Sequence, residues 1–105
     1  MFGTVSILFY PKRRSSDNDG LASLYARITV DGQRSEFSLG KRIEVRRWCA
    51  AGGKLRGTTK QVSEFNAFLD YVRNRCYRIH EELLKSGEPL SAQQITDTYL
   101  GKRKK

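Results

Sequence analysis

The sequence predicts an α+β domain in which a three-stranded antiparallel sheet packs on one long C-terminal helix, followed by a short helix. Three observations lead to this fold class. Apolar residues alternate with polar ones in three segments near the N-terminus, an Asp-Gly pair joins two of these segments, and the next long segment repeats an apolar residue every three or four positions. The 105 residues fit a single domain, and their 38% hydrophobic content is typical of a folded protein.

The three predicted strands lie at about 4–11, 22–30 and 33–40. The Asp-Gly pair at 31–32 separates the second strand from the third. It indicates a type I′ hairpin, whose two central residues need positive φ. Folding the chain at this turn pairs the strands from Val30 opposite Gln33 to Leu24 opposite Leu39. The turn therefore fixes which side chains share a face.

This register gives the hairpin two chemically different faces. The apolar face carries Leu24, Ala26, Ile28, Val30, Phe37 and Leu39. The opposite face carries Tyr25, Arg27, Thr29, Arg34, Glu36 and Ser38. We expect the helix to cover the apolar face, which leaves the basic face in contact with water.

A long helix is predicted at about 60–86. Its apolar stripe consists of Val62, Phe65, Leu69, Val72, Cys76, Ile79 and Leu83. The Ser-Gly-Glu-Pro run at 86–89 ends this helix. Ser91 and Gln94 then form a capping-box pattern ahead of a short helix that reaches about Leu100.

The segment from Gly40 to Gly57 shows neither the alternation of a strand nor the three-to-four-residue apolar repeat of a helix, and it is predicted to be an irregular loop. It is long for a connection, and such loops are often functional or anchored by a large side chain. Trp48 is the predicted anchor. The segment also carries six bases: Lys41, Arg42, Arg46, Arg47, Lys54 and Arg56.

The positive charge is concentrated in the predicted sheet half. The whole chain carries a net charge of +9. Residues 1–60 hold 12 Lys and Arg against 5 Asp and Glu, whereas residues 61–100 hold 4 against 6, and the tail at 101–105 adds four bases. This distribution predicts a polyanionic partner that meets the sheet, its loops and the tail, and a three-stranded sheet is narrow enough to enter a DNA major groove.

No catalytic residue, metal site or cofactor is predicted. His80 is the only histidine, and we expect a partly exposed helical residue without a nucleophile beside it. Cys49 and Cys76 are too few for a disulfide scaffold, and together with His80 they match no zinc spacing. A Gly-rich phosphate loop, a membrane-spanning apolar run and a signal peptide are also missing, so we expect a cytoplasmic protein without a small-molecule substrate.

Twelve side chains are candidates for contact with a nucleic acid. Those on the sheet face are Tyr25, Arg27, Thr29, Arg34 and Glu36. Those flanking it, as phosphate clamps, are Lys12, Arg13, Arg14, Lys41, Arg42, Arg46 and Arg47. Other interpretations stay open: Arg27 pairs across the strands with Glu36, Tyr10 and Tyr25 only pack on the sheet, and the loop bases are simply solvated.

A family resemblance covers nearly the whole chain, about residues 4–100. The run YARITVDGQRSEFSLG at 25–40 is preceded by ILFYPKRR at 7–14 and followed by Trp48, by KLRG at 54–57 and by the long helix. This ordered set resembles the N-terminal arm-type DNA-binding domain of tyrosine recombinases, the phage integrase family, as in integrases of prophages and conjugative transposons. The resemblance implies a sheet set in the major groove of double-stranded arm-site DNA, where it positions the integrase for site-specific recombination.

The resemblance also assigns residues and partners. The residues that match groove-facing positions are Tyr25, Arg27, Thr29 and Arg34, and the run at 12–14 matches the strand end near the DNA backbone. Nothing matches the catalytic domain of these recombinases, so we expect no enzyme activity from this chain. We expect the arm-type domain to span 1–88 and residues 89–105 to begin a linker toward a core-binding domain, with other domains or protomers of the integrase as partners.

Two other functions remain open at the level of sequence. A sheet-plus-helix domain with basic loops also suits double-stranded RNA. A basic protein-interaction domain, whose charge only keeps it in solution, is the second alternative.

Overall fold

The computed structural model describes residues 5–12, 20–87 and 90–101. The predicted contacts of Arg13 and Arg14 and the basic tail at 102–105 lie outside these residues. The main elements are β1 (Val5–Lys12), β2 (Leu21–Val30), β3 (Gln33–Glu44), β4 (Trp48–Cys49), β5 (Lys54–Leu55), α1 (Lys60–Ser86) and α2 (Ala92–Leu100). The predicted α+β fold, with a three-stranded antiparallel sheet, one long helix and one short helix, is confirmed.

The main sheet has the strand order β1-β2-β3, with both neighbouring pairs antiparallel. The turn between β2 and β3 forms as predicted, since Asp31 has φ 50° and Gly32 has φ 83°. The predicted register holds from Val30 opposite Gln33 as far as Tyr25 opposite Ser38. Local turn chemistry is therefore enough to place the side chains on this part of the hairpin.

The far end of the hairpin differs from the prediction. The register shifts between Ser23 and Tyr25, so that Ser23 pairs with Arg42 and the expected pairing of Leu24 with Leu39 is replaced by an irregularity. Gly40 has φ 71°, a left-handed conformation that suits a bulge. After the bulge β3 continues to Glu44, past its predicted end near residue 40.

The segment predicted to be an irregular loop contains further regular structure. A single 3-10 turn at Val45–Arg47 leads into the small β4-β5 hairpin. Trp48 is buried, as expected of an anchor. The side-chain amide of Asn66 on α1 accepts a hydrogen bond from the Leu55 N–H at 3.0 Å and donates one to the Leu55 carbonyl at 3.2 Å, which fixes this hairpin to the helix.

Helix α1 begins and ends on local capping signals. The Thr59 hydroxyl accepts a hydrogen bond from the Val62 N–H at 3.2 Å, and Gly87 closes the helix with φ 73°. His80 is buried, which corrects the expected partial exposure. It lies four residues after Cys76 and three before Leu83, at the border of the apolar stripe, where the helix surface is still covered.

Helix α2 packs against the same core. Ser91 caps it by accepting a hydrogen bond from the Gln94 N–H at 3.1 Å, and Ile95 is fully buried. The Thr96 hydroxyl donates to the hydroxyl of Ser35, a buried residue on the apolar face of β3, at 2.8 Å. The helix is therefore joined to the sheet by packing and by a buried hydrogen bond, while the role of residues 89–105 as the start of a linker stays a prediction.

The two cysteines provide a direct test of this packing. Cys76 is inaccessible, and burial raises the pKa of its thiol to about 11. Cys49 is half-exposed, and a hydrogen bond from the Gly52 N–H lowers the pKa of its thiol. At about pH 8, a disulfide reagent that forms a coloured thiolate is expected to modify Cys49 and to leave Cys76 unreacted. In denaturing urea both thiols should react, whereas equal rates in the folded protein would contradict the burial of Cys76.

Candidate nucleic-acid interface

One face of the sheet is turned away from both helices. Beyond the bulge in β3 this face continues through Arg42, opposite Ser23, and Glu44, opposite Leu21. Up to the bulge, alternation along the strands and the observed register place eleven side chains there. This surface, named the open face below, consists of Ser6, Leu8, Tyr10, Lys12, Ser23, Tyr25, Arg27, Thr29, Arg34, Glu36 and Ser38. The opposite face contributes the buried core beneath α1 and α2.

A charged cluster occupies the middle of the open face. Arg27 on β2 lies opposite Glu36 on β3, and its Nη2 and Nε atoms donate to Glu36 Oε2 at 2.8 and 2.9 Å. Lys12 places its Nζ atom 3.6 Å from Glu36 Oε1. The cross-strand pairing of Arg27 with Glu36, one of the open interpretations of the sequence, is therefore present, and both side chains keep about 30% exposure.

Two tyrosines hold the cations of this cluster. Tyr10 and Tyr25 are cross-strand partners with ring centroids 6.2 Å apart. The Arg27 guanidinium lies 4.8 Å from the centre of the Tyr10 ring, and Lys12 Nζ lies 4.8 Å from that of Tyr25. The tyrosines thus pack on the sheet and also support the two bases.

The electrostatics of the cluster favour its ionised form. A hydrogen bond from Tyr10 and then those from Arg27 lower the pKa of the Glu36 carboxyl. The pKa of Arg27 is raised chiefly by its hydrogen bonds to Glu36, and that of Tyr10 is raised by burial and by its bond to Glu36. Glu36 is therefore a carboxylate, and Arg27 and Lys12 together leave the cluster with an excess of one positive charge.

The hairpin end of the open face is arranged differently. Arg34 is exposed, and in the part of the chain that the structure describes it makes no hydrogen bond, ion pair or ring contact. Thr29 lies opposite it on β2 and is half-buried. Arg34 is thus the open-face base whose guanidinium has all its N–H groups available for a ligand.

The flanking bases do not all converge on this face. Lys41 places its Nζ atom 5.3 Å from the centre of the Phe68 ring on α1. Glu44 binds Arg46 at 3.1 Å and Arg47 at 3.5 Å beyond the bulge. The residues Arg42, Glu44 and Arg47 border a cleft of about 480 Å³ between the end of β3 and the start of α1. Arg42 lies opposite Ser23 and so continues the open face past the bulge, whereas Lys41 lies near α1, and Arg46 and Arg47 lie beside Glu44.

Sequence reasoning left five open-face residues out of the candidate set, namely Ser6, Leu8, Tyr10, Ser23 and Ser38, and two of them bear on the charged cluster. Tyr10 supports Arg27, and Leu8 is 46% exposed directly opposite Arg27. The exposure of Leu8 was predictable from its position in β1, because it lies between the inward-facing residues Ile7 and Phe9. An exposed leucine on a surface of this kind suits contact with the methyl group of thymine.

Other kinds of site find no support in the described residues. No group of three or more His, Cys, Asp or Glu side chains there is arranged to hold a metal ion. Neither α1 nor α2, as far as the structure describes them, has the length and apolar composition needed to span a bilayer.

Comparison with known proteins identifies the domain type. A family model of an arm DNA-binding domain matches residues 9–96, from β1 through most of α2. Searches among curated proteins and among solved structures find no significant match. Arm DNA-binding domains bind DNA and are not themselves catalytic. The chain thus belongs to the family of arm DNA-binding domains, found in tyrosine recombinases of the phage integrase type.

Proposed function

We propose that the open face enters the major groove of double-stranded arm-site DNA and thereby positions an integrase for site-specific recombination. The observation that carries this proposal is the composition of the open face, where three bases (Lys12, Arg27 and Arg34) accompany one carboxylate. Three strands about 4.8 Å apart span about 10 Å, which fits a groove about 12 Å wide. The family match favours double-stranded DNA over the RNA and protein partners that charge alone allows.

Each part of the surface has a proposed role. Arg27 and Arg34 contact base edges, since guanidinium groups suit the acceptor atoms of guanine. Tyr25, Thr29 and Glu36 complete the contact surface between the strands. The proposed phosphate contacts are Lys12, Arg13, Arg14, Lys41, Arg42, Arg46 and Arg47.

The proposal also concerns the protein of which this domain forms a part. Strand cleavage and joining belong to a separate catalytic domain of the integrase, so the partners of this domain are DNA and the other domains or protomers of the integrase. The setting is the cytoplasm of a cell that carries a prophage or another mobile genetic element. The domain itself is proposed to hold DNA without a cofactor, a metal or a small-molecule substrate.

Substitution of the two arginines tests the base contacts. Arg27→Ala and Arg34→Ala are each expected to weaken binding to the preferred duplex by about 1–3 kcal/mol, with a smaller loss on a scrambled duplex. Lys12→Ala should weaken binding to both duplexes alike, because phosphates carry no sequence information. Fluorescence anisotropy at constant salt measures both affinities, with the preferred duplex obtained by selection from a randomised library.

A matched control separates the open face from general charge. Arg78 is an exposed arginine on α1, away from the open face, so Arg78→Ala removes the same charge from a different surface. It should change the affinity less than Arg34→Ala. A larger loss for Arg78→Ala would contradict the proposed face, and equal losses on both duplexes for Arg27→Ala would contradict base reading.

A further inference from the structure

The carboxylate in the middle of the open face opposes DNA binding on charge alone. Glu36 is the one acidic residue among the eleven open-face side chains. A carboxylate repels DNA phosphates, so its presence in a DNA-binding surface lowers affinity for every sequence. The contacts that Glu36 makes with Arg27 indicate how it nevertheless contributes to DNA recognition.

Glu36 and Tyr10 hold the Arg27 guanidinium on two sides. Glu36 accepts hydrogen bonds from Nε and Nη2 of Arg27 along one edge, at 2.9 and 2.8 Å. The Tyr10 ring supports one guanidinium face at 4.8 Å. An arginine side chain is otherwise flexible and loses rotamer freedom when it binds, so these contacts orient Arg27 before DNA arrives.

The N–H groups that Arg27 keeps available have the geometry for one base. A guanidinium has five N–H donors, and Glu36 uses one on Nε and one on Nη2. The remaining three lie on Nη1 and Nη2, on the edge away from the carboxylate. Two parallel N–H donors on one edge match the O6 and N7 acceptors that guanine presents in the major groove.

Glu36 is itself held in place. Lys12 Nζ lies 3.6 Å from its second oxygen, and Tyr10 contributes to the lowered pKa of the carboxyl. The four side chains come from all three strands, so the arrangement depends on the register of the whole sheet.

We infer that Glu36 is a positioning residue for DNA recognition, which orients Arg27 so that the domain prefers guanine at the base pair facing Arg27. The inference rests on the proposed binding of DNA by the open face and adds the base recognised there. Glu36 lowers affinity for all DNA and raises the discrimination between guanine and the other bases at that one position.

Selection from a randomised duplex library tests the inference. Wild-type protein is expected to enrich guanine at a position where Arg27→Ala shows no preference. Glu36→Ala should lower the guanine preference at the same position by about tenfold, within the range for one bidentate contact, and leave the other positions unchanged. Glu36→Gln keeps a neutral acceptor of the same shape and should show a smaller loss at that position.

Glu44 provides a matched control for charge. It is also a carboxylate that binds two arginines, but it lies beyond the bulge, at the end of the sheet away from the Asp31-Gly32 turn. Both Glu36→Ala and Glu44→Ala should bind an unselected duplex more tightly, because each removes one negative charge. Glu44→Ala should retain the guanine preference.

The possible results distinguish this inference from the proposed function. An unchanged or stronger guanine preference in Glu36→Ala would overturn the inference and leave Glu36 as a neutralising charge. A loss of preference at every position alike would also overturn it, because Glu36 would then act on the sheet as a whole. If wild-type protein enriches no sequence, or if Arg27→Ala keeps every preference, the proposed function itself fails.

Discussion

Raising the KCl concentration from about 50 to about 200 mM is expected to weaken binding of duplex DNA about a thousandfold. The open face and its flanking bases are proposed to neutralise about six phosphates, which gives a slope near −5 in a plot of log K against log salt concentration. Anisotropy titrations at four or five salt concentrations measure this slope. The effect exceeds that of any single base contact because every released counterion contributes to it.

Two substitutions in this chain test the origin of the slope. Lys12→Ala should reduce its magnitude by about one, whereas Arg78→Ala on α1 should change it less. Titration with duplex RNA at the same salt concentrations checks the choice of nucleic acid. A slope near zero for duplex DNA would contradict phosphate binding and favour the protein-interaction alternative.

Replacing Ile95 by alanine is expected to lower the free energy of unfolding by about 2–5 kcal/mol. Ile95 lies on α2 and is fully buried in the core between that helix and the sheet. The substitution leaves a cavity in a domain whose total stability is on the order of 5–15 kcal/mol. Urea unfolding followed by circular dichroism measures the change.

Leu100 on the same helix is the control for this substitution. Its side chain is 40% exposed, so Leu100→Ala should change the free energy of unfolding much less than Ile95→Ala. If the two substitutions have the same small effect, α2 is not part of the cooperative core. In that case α2 would behave as the beginning of a linker.

The predictable part of this fold depends on short-range signals. The Asp31-Gly32 turn fixes the hairpin register because only positive φ values at both residues match the twist of the strands. That register then places Arg27 opposite Glu36 and Thr29 opposite Arg34 without further information. Helix α1 is equally predictable from local sequence, since the apolar repeat and the capping residues that specify it lie within or next to the segment itself.

The features that sequence reasoning did not predict depend on distant contacts. The bulge at Gly40 allows Ile43 to pair with Ala22 and return to the core, and this gain involves residues far apart in the chain. The side chain of His80 is buried, although the sequence pattern of α1 places it only at the border of the apolar stripe. Lys41 places its Nζ atom near the Phe68 ring on α1, a contact between distant parts of the chain that the sequence does not indicate.

The geometry of the candidate site could be predicted from the sequence only in part. The sequence pairs Arg27 with Glu36 across the strands, but it does not show that Tyr10 supports the same guanidinium. Tyr10 lies on β1, which is joined to β2 by residues 13–20, a connection too long to fix the register as a two-residue turn does. The register of β1 is therefore set by burial of its apolar phase rather than by local chemistry.

The Asp31-Gly32 turn has a consequence for DNA recognition as well as for folding. A slip of one residue in the pairing of β3 with β2 turns every β3 side chain to the other side of the sheet. Arg34 and Glu36 would then point toward the helices, and Ser35 and Phe37 toward DNA. The two turn residues touch no base in the proposed complex. Through the register, they nevertheless determine which side chains of β3 face the DNA.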